Sequence, residues 1–130
     1  MAGEPIEGQV LVLAAAKASV PARRLPDLVD LAQAELETRV ERYRREYEPL
    51  DLDLDRLSVS DGAEPSGFLA EGGHWESVGN ALGFDRREAD AVRRAHEEQL
   101  LRIARRSGRG DEFETALEIR EPVFVAVSAD

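Results

Sequence analysis

The side chains best suited to chemistry in this chain are His74 and His96, together with Arg86, Arg87, Arg93 and Arg94 between them, all inside the stretch HWESVGNALGFDRREADAVRRAHEEQ. Histidine alone has an ordinary pKa near neutrality, so each is a candidate proton carrier or metal ligand. Neither sits in a ligand pattern. His96 precedes Glu97 and Glu98 with no second histidine one turn away, and His74 has only Glu76 nearby. His96 is expected at the edge of the core, donating to a backbone carbonyl, and His74, beside the glycines of EGG, is the freer of the two. Ser58, Ser60, Ser66, Ser77 and Ser107 lie in no nucleophile elbow, and no glycine loop cradles a phosphate. The run DLDLD has Arg56 and Gly62 where a calcium loop needs glycine and glutamate. The expectation is a chain with no catalytic residue, no metal site and no cofactor.

Arginine chemistry is the stronger signal. Gly79 is small, Gly83 suits a turn, and Val78, Leu82, Phe84, Ala89 and Val92 can lock two helices at a steep angle, as a helix-turn-helix requires. Arg86, Arg87, Arg93 and Arg94 would then face guanine edges and phosphates. Charge opposes this reading. From Asp85 to Arg106 seven arginines stand against five acidic residues, and the whole chain carries −10. Phosphate affinity from counterion release falls steeply with salt, and Asp90 would face the phosphates. The same helix pair also serves simply to pack, so a protein-interaction or regulatory role is expected first and DNA binding second. His74, Trp75 and Phe124 are the candidate partner contacts, because interface anchors favour aromatic residues. The alternative for Trp75, the only tryptophan, is a place in the core.

The elements that must position these residues follow from periodicity. Apolar positions at helical spacing predict helices over about 6–19 and 26–48, the second carrying Glu35 with Arg39 and Glu41 with Arg45 on its wet face. Helices are also expected over about 74–82, 85–106 with Asp85 as cap, and 111–119. Alternation and turn residues predict strands over about 56–60 and 67–70, forming a hairpin around SDGAEPSG. The run PVFVAV, about 122–127, is apolar on both faces and is expected to be covered on both. Together these give one α+β domain over 1–130, mostly helical, with four to five helices against a small antiparallel sheet of the hairpin and the C-terminal strand.

With 130 residues, 42% of them hydrophobic, one core is the natural size. Absence of cysteine excludes disulfides and thiolate sites. VLVLAAA follows Glu4 and Glu7 and precedes Lys17, so neither a basic leader nor a membrane span is expected, and the chain reads as soluble and cytoplasmic. Of 17 basic residues only Lys17 is lysine. Excess carboxylate with arginine in place of lysine points to a halophilic proteome, where acidic surfaces bind water and cations and their self-repulsion is screened. HWESVGNALGFDRREADAVRRAHEEQL and FETALEIREPVFVAV resemble segments of small uncharacterised haloarchaeal proteins. The resemblance implies a halophilic archaeal source and brings no activity with it. Self-association, including a homodimer, and surface cations complete the expected partners.

Overall fold

The computed structural model describes residues 6–54 and 63–128. The elements are α1 (Gly8–Ala18), α2 (Leu25–Glu46), β1 (Glu48–Pro49), β2 (Ala63–Glu71), α3 (His74–Leu82), α4 (Arg86–Arg106), α5 (Gly110–Ala116) and β3 (Arg120–Ser128). The fold is α+β, as its periodicities predict. Three antiparallel strands lie in the order β1-β2-β3. β3 packs against α2 and α4, while α1, α3 and α5 all lean on α4.

Two long helices set the frame. α2 has Pro26 in its first turn, where the missing N–H costs nothing, and buries Leu25, Leu28, Val29, Ala32, Leu36, Val40 and Tyr43 along one stripe. It ends at Glu46, two residues before the expected boundary, because the chain extends into β1 at Glu48–Pro49. α4 starts from a reciprocal capping box in which Glu88 N–H donates to Asp85 Oδ1 (2.8 Å) and Asp85 N–H donates to Glu88 Oε1 (2.9 Å). α5 is shorter than expected, ending at Ala116 rather than 119. Lys17, the one charge on α1, binds Glu98 on α4.

The sheet differs from the expected one. The strand expected at 56–60 lies outside the described residues, and the neighbour of β2 away from β3 is β1, with Glu48 opposite Leu69 and Pro49 opposite Phe68. β2 and β3 are paired over their whole lengths, from Ala63 opposite Ser128 to Glu71 opposite Arg120. Gly67 sits where the layers are tightest: a Cβ there would come within 2.6 Å of Leu50 Cδ1 and 3.2 Å of the Phe124 ring. Its bare Cα admits both side chains, and its carbonyl accepts from Leu50 N–H (2.8 Å).

The α3–α4 pair depends on two glycines in different ways. Gly83 closes α3 at φ +73°, a conformation that side chains with a Cβ resist. Gly79 lets the helices touch, since a Cβ there would stand 2.8 Å from the Ala89 Cβ. Gly79→Val should therefore destabilise the domain by roughly 1–3 kcal/mol or more through overpacking. Gly8→Ala, with nothing within 4 Å of the added methyl, should be neutral or slightly stabilising. Urea denaturation of the two variants checks this pair, and equal stabilities would contradict the close contact.

Candidate functional site

The polar side chains of the interior converge on the outer edge of β3. A strand edge buried in a domain presents N–H and C=O groups that no water can reach, so each needs a partner from elsewhere. Here three helices provide them. From α3, Trp75 Nε1 donates to the Pro122 carbonyl (3.0 Å). From α4, His96 Nδ1 accepts from Phe124 N–H (2.9 Å). From α2, Gln33 Nε2 donates to the Phe124 carbonyl (2.7 Å), and Gln33 Oε1 accepts from Ala126 N–H (3.3 Å). Pro122 itself has no N–H to satisfy. Gln33 thus does what a neighbouring strand would do, offering a donor and an acceptor with one planar amide.

Around this edge runs a chain of rings. Tyr43 and His74 lie 5.5 Å apart between centroids, His74 and Trp75 4.8 Å, Trp75 and His96 4.4 Å, and His96 and Phe124 6.1 Å. Tyr43 Oη and His74 Nε2 are hydrogen-bonded at 2.7 Å. Because His96 accepts through Nδ1, its proton is on Nε2 and the ring is neutral. Burial, reinforced by His74, pushes the His96 pKa down to about 3. Burial, with Arg39 and Arg42 adding their charge, brings that of His74 down to about 4. His74 Nδ1 and His96 Nε2 are buried without a hydrogen-bond partner among the described residues. The expected donation from His96 to a carbonyl is corrected: the ring accepts from an amide, because α4 approaches the edge of β3 where the Phe124 N–H is exposed.

Glu121 organises the start of α3 from the neighbouring strand. Its carboxylate accepts from Gly73 N–H (3.0 Å) and Trp75 N–H (2.8 Å), capping a helix whose own N-cap is Gly73. A second polar clamp holds the N-terminal segment. Glu7 N–H donates to Gln99 Oε1 and Gln99 Nε2 donates to Glu7 Oε2, both at 2.7 Å.

Of the residues singled out by type, His74, Trp75 and Phe124 meet the interior, at 5%, 2% and 0% exposure. Arg93 binds Asp90 and Glu97, and Arg94 Nε binds Asp90 Oδ2 (2.7 Å). Burial would raise the Asp90 carboxyl, but the hydrogen bonds from Arg94 and Arg93 outweigh it and hold its pKa below the usual value. Arg102 bonds to Gln9, Arg105 to Glu114 and Arg106 to Glu7. Arg86 and Arg87 are exposed and make no ion pair among the described residues. Five of the seven arginines of α4 are thus held by acidic or amide side chains. Gln33, Gln99 and Glu121 escape a reading by chemical type. The signal for the two glutamines was positional: Gln33 shares the face of Val29 and Leu36, and Gln99 that of Val92 and Ile103. No group of three or more His, Cys, Asp or Glu among the described residues is placed to hold a metal ion.

Gln33→Leu keeps the volume near β3 but orphans the Phe124 carbonyl and the Ala126 N–H, at roughly 1–3 kcal/mol for each group. Chemical denaturation should show this loss, and a variant as stable as the parent would mean that the clasp contributes nothing. Acid should act through the histidines. Their folded pKa values lie below the unfolded value near 6.5, so the unfolded chain takes up protons first. Stability is complete above about pH 6.5 and falls toward pH 5 with a slope of up to about 1.4 kcal/mol per pH unit for each histidine. His74→Phe should make this slope shallower, and a pH-independent urea midpoint between those limits would contradict the buried neutral state.

No curated protein and no solved structure matches the chain. The family match covers residues 4–127, which take in the β3 clasp and the α3–α4 pair alike, and the chain belongs to the family described as Domain of unknown function (DUF8048).

Proposed function

We propose that this domain is a non-catalytic protein-interaction or regulatory module of the cytoplasm of a halophilic archaeon, and that it works by self-association through the outer face of α1. One observation carries the reading: in a chain with 34% charged residues, α1 contains a single charge and turns Val12 and Leu13 to solvent at 61% and 45% exposure. A helix that is apolar on both sides is usually covered on both. Its inner side lies on α4. Two copies at −10 each repel one another everywhere except at a face with little net charge. Lys17, the one charge on α1, is neutralised by Glu98, so α1 is where two copies meet at least cost.

The source and compartment rest on the acidic, arginine-rich, lysine-poor composition, which suits a surface that binds water and cations at high salt. No helix among the described residues is long and apolar enough to cross a membrane. DNA binding through α3 and α4 is the second reading, favoured by Gly79 and Gly83 in the helix pair and by Arg86 and Arg87, which are exposed and make no ion pair among the described residues.

Sedimentation velocity in molar potassium chloride tests the first reading. The wild type should form a dimer, and Val12→Glu with Leu13→Glu should yield a monomer that keeps the far-UV circular dichroism of the wild type. A wild-type monomer across the concentration range would sink the self-association reading. Duplex DNA should show no sequence-selective binding at the same salt, and selective binding lost in Arg86→Ala with Arg87→Ala would put the second reading first.

A further inference from the structure

The aromatic side chains of this chain that yield an electron most readily, its one tryptophan and its two tyrosines, stand in a single run. There is no cysteine, and Met1 is the only methionine, so sulfur offers just one other site to an oxidant. We propose that the run is a one-electron relay, which moves an oxidising equivalent from buried Trp75 through Tyr43 to partly exposed Tyr47 and so lets the domain discharge a radical formed in its core. His74 and Trp75 meet edge to face at 4.8 Å between centroids, Tyr43 and His74 lie 5.5 Å apart, and Tyr43 and Tyr47 5.6 Å. Trp75 and Tyr43 are 2% and 1% exposed, whereas Tyr47 is only partly buried. Steps between rings in contact carry an electron far faster than one long jump from the core.

A buried phenol loses an electron only if its proton has somewhere to go, because the protonated radical is a charge in an apolar interior. Each tyrosine of the run has a base of its own. Tyr43 Oη and His74 Nε2 are 2.7 Å apart, within the range over which a base takes a proton, and Tyr47 Oη donates to Glu71 Oε1 (3.3 Å). The Tyr43 hydroxyl has no other acceptor among the described residues, so it is the donor, and the imidazole carries its own proton on Nδ1. Burial holds the Tyr43 phenol protonated, above its ordinary pKa, and brings that of His74 down to about 4, so the Nε2 lone pair is there to receive. Trp75 is placed differently. Its Nε1 donates to the Pro122 carbonyl, too weak a base to take the proton, so an oxidised indole stays a cation until Tyr43 fills it.

The steps balance. A one-electron oxidant takes an electron from Trp75 and leaves the indole radical cation. Tyr43 then gives an electron to Trp75 and its hydroxyl proton to His74 Nε2, which leaves a neutral phenoxyl radical beside an imidazolium. Burial, with the charges of Arg39 and Arg42, opposes the imidazolium. The proton therefore returns to the Tyr43 oxygen as Tyr47 supplies the next electron, and the Tyr47 proton passes to Glu71. At Tyr47 a soluble reductant of the ascorbate class restores the phenol with one electron, and Glu71 gives the proton back.

Laser photoionisation of the full chain at the red edge of the indole band, where tyrosine does not absorb, tests the relay by making the Trp75 radical alone. A cobalt(III) ammine in solution takes up the ejected electron. Transient absorption should show the tryptophanyl band decaying in step with the rise of the tyrosyl band, and that rise should slow in heavy water because a proton moves with the electron. Tyr43→Phe should abolish the tyrosyl rise and leave the Trp75 radical long-lived. Tyr47→Phe, at a partly exposed position, should keep the rise but lose the quenching by added ascorbate that the wild type shows. The wild-type traces in light and heavy water and the Tyr47 variant decide the matter even should Tyr43→Phe fail to fold. A Trp75 radical that decays with no tyrosyl band, a rise unchanged in Tyr43→Phe, or ascorbate quenching unchanged in Tyr47→Phe would overturn the relay. A rise equally fast in heavy water would overturn the proton steps given to His74 and Glu71, and with them the proposal.

Discussion

The outer edge of β3 is the constraint on which the rest of the domain depends. A three-stranded sheet has two edges, and this one lies inside the protein, where the Phe124 amide and carbonyl and the Ala126 amide would otherwise be stranded. Gln33, Trp75 and His96 reach it from three different helices. The clasp therefore does more than satisfy hydrogen bonds. It fixes the rotation of α2, α3 and α4 about their own axes, because each must present one particular side chain to one particular backbone group. Apolar packing alone is non-directional and tolerates sliding; a buried amide facing a carbonyl does not.

The same constraint explains why the histidines are structural. His96 must be neutral to accept the Phe124 amide, and His74 is held against Tyr43 within the same run of rings. Groups so arranged are poor carriers of protons to solvent. Both rings are thus committed to packing and hydrogen bonding in the interior, while at the surface charge and exposure differ from place to place.

That surface is uneven. Most arginines of α4 are tied to carboxylates of α4 itself, α5 or the N-terminal segment, so they hold elements together and do not project a basic field. Exposed apolar side chains remain on α1 at Val12 and Leu13, on α2 at Leu31 and before β3 at Ile119, and exposed arginines without an ion pair among the described residues include Arg86 and Arg87 in the first turn of α4. In the α3–α4 pair Gly79 stands at the contact and Gly83 at the turn, the positions where a helix-turn-helix needs small residues. Arg93 and Arg94 of this pair are engaged with Asp90 and Glu97, while Arg86 and Arg87 are exposed.

Local sequence determined most of the elements. Periodicity located the five helices to within a few residues, with Asp85 as a cap and Gly83 as a stop, because capping and left-handed turns are decided by one residue and its immediate neighbours. The double-sided burial of PVFVAV was legible for Val123 through Ala126, since alternation is missing there. Tertiary structure alone decided the rest. Residues 48 and 49 join the sheet only because β2 lies beside them, and two residues carry no periodicity of their own. Gln33 reads as a surface amide by type, and Glu121 as one more acid among 27 Asp and Glu. Each acquires its role from a partner 91 or 46 residues away in the chain. Whether Arg93 grips Asp90 or a phosphate is likewise no property of arginine. A hydrogen bond between distant segments is specified by the position of both ends, and the sequence states that position only through the fold.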